Sequence, residues 1–259
     1  MIKILVIGEL GTDRFVYGDI NRLCPEAPVP VLNPTEIIEN NGMAGNVVDN
    51  VKSLISEDKC EVVFWHQPEK IIKTRYVHKK TNHMIMRFDE GELKPLGRLG
   101  FLSSQQRDTI KESDIVIISD YNKGYLTVED IEYIASLSKL SIIDTKKTIP
   151  PHNLRNISFV KMNEVEWRKN FGIENDLDGK VLITLGERGV QYNGVNYPSP
   201  KPQDTIDVSG AGDTFTASFI LKYFLTKDVS ESIRFANEVC ADVVNKKGVV
   251  IPNDKFKLL

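Results

Sequence analysis

Cysteine is scarce in these 259 residues: Cys24, Cys60 and Cys240 are odd in number, far apart and form no C-x-x-C pair. The pattern excludes a disulfide framework and a cysteine-based zinc site, and it fits a reducing cytoplasm. Long apolar runs are missing too. The opening Met1-Ile2-Lys3-Ile4-Leu5-Val6-Ile7-Gly8 is soon followed by Glu9 and Asp13, which leaves no signal-peptide core, and no other stretch approaches the apolar length that spans a bilayer. A soluble, untargeted cytoplasmic chain with no membrane partner is expected. Nor is there an excess of positive charge. Lys+Arg 33 against Asp+Glu 36 gives a net charge of −3, so no global field draws the chain to nucleic acid, and any phosphate must be held by a local site. The segment Gly8-Glu9-Leu10-Gly11 is not G-x-G-x-x-G, which removes a Rossmann dehydrogenase. The histidines His66, His78, His83 and His152 lack metal spacing, and there is no internal repeat, low-complexity tract or Gly/Ser linker.

What is present is a 41% hydrophobic content, enough for a sizeable core. Short β-branched runs at Ile4 to Ile7, Ile115 to Ile118 and Val181 to Leu185, with weaker ones at Ser141 to Asp144, Phe159-Val160 and Val62 to Trp65, suit buried parallel strands. Helical patterns at Asn46 to Ile55, Gln105 to Glu112, Val128 to Ser138 (capped by Thr127) and Glu164 to Asn170 lie between them. This alternation predicts an α/β domain around a mostly parallel sheet. Pro25 to Val31 with Thr35 to Ile38, and Ile71 to Tyr76 with His83 to Phe88 joined by a turn at Lys79-Lys80-Thr81-Asn82, fall outside that rhythm. They predict a small antiparallel flap beside the main sheet.

The most informative stretch is Asp207-Val208-Ser209-Gly210-Ala211-Gly212-Asp213-Thr214-Phe215, continued by a helix with Phe215, Phe219, Ile220 and Phe224 on one face. Gly210 and Gly212 leave the backbone open where the helix begins, so the first-turn N–H groups and the positive end of the dipole form an anion site. Asp213 stands beside it as a proton acceptor. An acceptor next to a cradle for negative charge is what phosphoryl transfer to an alcohol requires. The alternative is an ordinary glycine loop with Asp213 as an N-terminal charge.

This run resembles the C-terminal signature of the ribokinase-like, PfkB-type carbohydrate kinases. Further segments resemble the same family: Gly8 to Gly18, Cys24 to Val31, Ser119-Asp120-Tyr121-Asn122-Lys123-Gly124, Asp144-Thr145-Lys146 and Asn163-Glu164-Val165-Glu166. The proline-rich piece and Ser119 to Gly124 are most similar to the heptose 7-phosphate kinase branch. The resemblance implies a three-layer α/β/α kinase domain over residues 1–259, with a lid at about 16–39 and 71–90. It implies ATP and Mg²⁺ as cofactors and a sugar or sugar phosphate as acceptor, best a heptose 7-phosphate phosphorylated at its 1-hydroxyl. In that scheme Asp213 is the catalytic base, and the amides of Gly210, Ala211 and Gly212 steady the moving γ-phosphoryl group. Asp13 and Asn46, with Gly42 and Gly45 clearing space, contact the sugar. Lys146, Thr184, Gly186, Gly189 and Asn237 line the nucleotide, while Asn163 and Glu166 position magnesium and phosphate through water. Taken singly, each has a plain alternative as a turn residue, a helix cap or a solvated side chain.

Three departures from the family stand out. Met43 replaces a glycine of the usual Gly-Gly-x-x-x-Asn and is expected to narrow the sugar pocket. Glu9 stands in place of an aspartate at what the resemblance makes a substrate-facing turn. Only Lys52 to Lys70 is available where a relative carries additional strand-helix structure, so a trimmed kinase is expected, without the nucleotidyltransferase part of the bifunctional relatives. A protein of the same fold reduced to binding nucleotide or sugar is the competing reading. A homodimer through the lid is expected, with Val29, Val31, Ile37, Tyr76, Ile85 and Phe88 in or near the contact; a monomer whose flap folds back on its own core is the alternative.

Overall fold

The computed structural model describes residues 1–92, 96–170, 172–200, 208–246 and 248–259. In chain order the strands are β1 (Ile2–Gly8), β2 (Leu10–Leu23), β3 (Pro30–Met43), β4 (Cys60–Trp65), β5 (Ile72–His78), β6 (His83–Glu90), β7 (Ile115–Asp120), β8 (Ser141–Thr145), β9 (Phe159–Asn163), β10 (Val181–Thr184), β11 (Val190–Tyr192) and β12 (Val195–Tyr197). The helices are α1 (Ala44–Leu54), α2 (Ser104–Glu112), α3 (Val128–Leu137), α4 (Glu164–Lys169), α5 (Ile173–Asp176), α6 (Ala211–Thr226) and α7 (Val229–Val243).

The main sheet runs β12-β11-β10-β9-β8-β7-β1-β4, parallel from β10 to β4 and closed at one edge by the antiparallel β11 and β12. Its strands are apolar on both faces because both are covered. Ile4 and Val6, Ile115 and Ile117, Ile142, Phe159 and Leu182 face a layer holding α1, α6 and α7, including Val47, Phe219 and Ile233. Their neighbours Leu5 and Ile7, Val116 and Ile118, Ile143, Val160 and Ile183 face the opposite layer, including Ile110 of α2 and Ile131 and Ile134 of α3. This is the three-layer α/β/α arrangement, and each buried Ile or Val contributes about 1.5–3 kcal/mol to it. Helix starts are fixed locally: Ser103, Thr127 and Asn163 each close a capping box at the N-termini of α2, α3 and α4.

A second, four-stranded sheet, β3-β2-β5-β6, is the flap. It is larger than expected and only partly antiparallel. The β2 and β5 strands pair in parallel, from Thr12↔Ile72 to Gly18↔His78, while β2 with β3 and β5 with β6 are antiparallel. Both long strands reach back beyond the expected boundaries, β2 from Leu10 and β3 to Met43. The turn Lys79 to Asn82 joins β5 to β6 as expected, with Asn82 at φ 56°. Asp207 lies outside the described residues.

Candidate active site

The site gathers where β7 to β10 end, the usual place for ligands in open parallel sheets. There α6 starts from Gly210, whose φ of 80° suits glycine and where an added Cβ would stand 2.6 Å from Asn46 Nδ2. The first turn of this 16-residue helix carries Ala211, Gly212 and Asp213, and its positive end is directed at a cavity of about 450 Å³. The Ala211 N–H is occupied by the Val208 carbonyl at 3.3 Å. The same cavity is lined by Lys146, Thr184, Gly186, Gly189 and Asn237, the five residues expected around the nucleotide, and by Asn163, expected near magnesium and phosphate. Gly189 (φ 88°) permits the close pass of Tyr197, whose carbonyl lies 2.1 Å from where a Cβ would sit. Asn237 of α7 holds that segment by donating to the same carbonyl at 3.0 Å.

Asp213 is buried and accepts two hydrogen bonds, from Asn46 Nδ2 at 2.9 Å and from the Tyr121 hydroxyl at 2.8 Å. Burial pushes its carboxyl up to about 6, the Asp144 charge adds to that, and Asn46, Tyr121 and Lys161 oppose it. Such a group is ionised at neutral pH yet basic enough to take a proton from a hydroxyl. Lys161, at 3% exposure, donates to Asp144 Oδ2 at 2.7 Å, and its ammonium lies 2.9 Å from where a Cβ on Gly212 would be. Burial opposes its charge, but Asp144 and the other nearby acids keep its pKa above the usual lysine value. Gly212 thus admits a cation to the start of α6. The sequence reading missed Lys161; a lone lysine inside the apolar strand Phe-Val-Lys-Met-Asn was the signal, since a buried ammonium requires a partner.

Asn163 and Glu166 do come together, in the capping box of α4. Glu166 Oε2 accepts from the Asn163 amide at 2.8 Å, Asn163 Oδ1 accepts from the Glu166 amide at 2.9 Å, and Lys146 bonds Glu166 Oε1. Both Glu166 oxygens are committed. Among the described residues no cluster of three or more His, Cys, Asp or Glu could ligate a metal directly. The donor set therefore fits Mg²⁺ only through its water shell and the phosphates, as that ion prefers. Asp144 Oδ1, buried without a hydrogen-bond partner, leaves one further hard oxygen at the cavity.

On the far side of Asp213 lie the residues expected around the sugar. Asn46 bridges to Asp213, and Asn50 braces it from one turn on. Asp13 pairs with Arg75 of β5, whose guanidinium stacks over Phe15 at 5.1 Å. The room expected at Gly42 and Gly45 is taken by the protein itself: added Cβ atoms would meet Asp13 Oδ2 at 2.4 Å and Leu10 Cδ1 at 2.5 Å. Met43 adopts φ 58° and packs in a small cluster with Ile71, Leu96 and Tyr121. Glu9 does not face substrate. It is fully buried, and its carboxylate accepts from the backbone amides of Tyr121, Lys123 and Tyr125 at 2.8, 3.0 and 3.3 Å.

Residues 49–255 match the sequence model of the pfkB family carbohydrate kinases. The chain belongs to that family. Members of that family are phosphotransferases that act on sugar hydroxyls. This kinase is 32% identical to the bifunctional protein HldE of Helicobacter pylori strain J99 and 29% identical to that of Campylobacter fetus, each alignment covering 96% of this chain and 64% of the relative. It thus spans less than two thirds of the length of these curated relatives. The Helicobacter alignment extends over 302 positions, more than the chain has, so that relative carries insertions absent here. In three dimensions the kinase resembles Arabidopsis thaliana ribokinase complexed with ribose and ATP (TM-score 0.73, 16% identity, 99% of this chain and 97% of that one). It also resembles Escherichia coli phosphofructokinase-2 in complex with potassium (TM-score 0.70, 16% identity, 99% and 97%). These likenesses show the ribokinase fold. Among the described residues no helix is long and apolar enough to cross a membrane.

Proposed function

We propose that this kinase moves the γ-phosphoryl group of ATP to the 1-hydroxyl of a heptose 7-phosphate in the cytoplasm, residues 1–259 acting as one kinase domain under its lid. The observation that carries the reading is the place of Asp213, buried at the start of α6, where it lines the cavity and is held by Asn46. A hydroxyl presented from the Asp13 side gives its proton to Asp213 as its oxygen attacks the γ-phosphorus. The Gly212 amide at the start of α6 and the Lys161 ammonium meet the charge that develops on the phosphoryl oxygens, while the Ala211 N–H stays with the Val208 carbonyl. Mg²⁺, when bound, offsets phosphate charge; Asn163 and Glu166 would hold its water shell. The phosphorylated acceptor is supported by cations next to Asp13. Lys73 and Arg75 both lie on β5, opposite Asp13 and Phe15 of β2, and Lys123 pairs with Glu92 beside Lys73. The HldE relatives point the same way.

ADP release across a panel of free and phosphorylated sugars tests this. Release is expected with heptose 7-phosphate above all others, abolished by a chelator and restored by Mg²⁺. Activity on unphosphorylated sugars alone overturns the acceptor class. Nucleotide binding without ADP release from any sugar supports the reduced binding protein instead.

The lid adds an oligomeric prediction. Ile37, Met84, Ile85, Met86 and Phe88 are all exposed on a sheet with open edges, which a second copy of the chain would cover. Sedimentation equilibrium at micromolar concentration should give the mass of two chains, and Ile85→Asp with Val31→Asp should return it to one. A parent with the mass of one chain rejects the dimer; a dimer that survives both substitutions rejects the lid as its interface.

A further inference from the structure

We propose that Tyr121 is a positioning residue of the phosphoryl transfer: pinned from below by Glu9, its phenol holds the Asp213 carboxylate oriented and ionised toward the acceptor hydroxyl. The proposal rests on the kinase reading above, and it is carried by a chain of contacts across four elements. Glu9 sits in the crossing from β1 to β2 at 0% exposure, where an unpaired carboxylate would be untenable. It is satisfied almost wholly by backbone amides of the loop after β7. Its Oε2 takes the Tyr121 N–H, and its Oε1 takes those of Lys123 and Tyr125. Three amide donors to one charge fix the loop as a rigid ledge. From that ledge the Tyr121 ring runs between the lid and the cavity, with the Lys73 and Lys146 ammonium groups each 5.7 Å from its centre, and its hydroxyl ends 2.8 Å from Asp213 Oδ1.

The second carboxylate oxygen is taken by Asn46, so the two donors together leave Asp213 one orientation. They also favour its ionised form, because each hydrogen bond is stronger to a carboxylate than to a carboxylic acid. Among the described residues, the other charged or titratable groups around Asp213 have their own commitments. Asp144 on β8 raises the carboxyl's pKa and is paired with Lys161 on β9, which lowers it. The Cys240 thiol on α7, pushed up to about 12 by burial, stays neutral throughout the working range. Tyr121 itself is pushed well above the usual phenol value by burial and by Asp213 and Asp144, so it remains a donor. Its hydroxyl can therefore be removed without exchanging one charge for another.

Tyr121→Phe keeps the ring, its packing against Met43 and both ammonium contacts, and deletes only the donor. The carboxyl of Asp213 should then titrate about one pH unit higher, a shift readable by carbon NMR on the resting protein without any substrate. In steady-state kinetics with the parent's sugar and saturating nucleotide, the acid limb of kcat moves the same way. From a limb near 6, that displacement makes a deficit of about fivefold at pH 6 which closes toward pH 8.5, with KM little changed. Glu9→Gln, which puts an N–H donor among the loop amides, should displace the limb in the same direction. An unmoved carboxyl titration in Tyr121→Phe, or a uniform loss of kcat at every pH, overturns the proposal. If the parent releases ADP with no sugar at all, the function reading fails, and the carboxyl titration still decides whether Tyr121 holds Asp213.

Discussion

Replacing Asp213 by Asn should lower kcat by roughly a hundredfold or more and leave nucleotide affinity close to the parent's. The substitution fits the site. An Asn amide can turn its carbonyl oxygen toward Asn46 Nδ2 and its own N–H₂ toward the Tyr121 oxygen, which can accept as well as donate, so both contacts of Asp213 keep a partner. Lys161 remains neutralised by Asp144, and the amides of the α6 start are untouched, so the phosphate cradle persists. What disappears is the only atom pair at this position able to take a proton from the acceptor. The pH dependence carries a second signature. Because the ionised form is the active one and burial holds the carboxyl at about 6, the parent rate should fall as pH drops through that value. The residual rate of the variant should lack this limb. Steady-state kinetics from pH 5 to 9 with calorimetric titration of nucleotide measures both; turnover within a few-fold of the parent removes Asp213 from the role of base.

How far the sequence revealed this site follows from which contacts are local. The glycine turn and Asp213 lie within four residues, and the Asn163/Glu166 pair is one helical turn; spacing alone brings each together. The parallel strands were legible because a strand covered on both faces is apolar at every position, as Ile115 to Ile118 and Ile4 to Ile7 are. The lid was read only in part. β2 mixes Thr12, Asp13, Arg14 and Asp19 with its apolar residues, and its parallel partner β5 lies some sixty residues along the chain, so neither composition nor turn signals announced the pairing. Tyr121, Lys161 and Glu9 escaped for the same reason. Their importance depends on registers between β1, β7, β8 and β9, such as Gly8 opposite Ser119, that set which side chains meet at the strand ends. Glu9 reads as a substrate acid until those registers place it under a loop that needs an acceptor.

The same register makes Gly8 a position where the smallest substitution should cost much stability. Gly8 ends β1 opposite Ser119 of β7, and a Cβ added there would stand 1.9 Å from the Ser119 carbonyl oxygen, 2.8 Å from its carbon and 3.0 Å from Ala44 Cβ. None of these is the movable tip of a side chain. One is sheet backbone and the other opens α1, so relief requires β1 and β7 to separate by more than roughly 1 Å at their ends, given ordinary carbon contacts of about 3.5 Å. Overpacking of this kind costs about 1–3 kcal/mol and sometimes more; with a sheet hydrogen-bonding register to disturb, Gly8→Ala should lie at or above about 3 kcal/mol. Gly100→Ala supplies the contrast. Its φ of 66° disfavours a side chain, but nothing lies within 4 Å of the new Cβ, so only the conformational cost of about 1 kcal/mol applies. Urea unfolding of both variants decides the matter, and a Gly8→Ala loss no larger than that of Gly100→Ala would contradict the close approach. Separation at Gly8 also drags Glu9, the next residue, away from the amides of Tyr121, Lys123 and Tyr125. Whatever fraction of Gly8→Ala stays folded in dilute buffer should therefore turn over more slowly than Gly100→Ala, because the ledge that carries Tyr121 to Asp213 has moved with the strand.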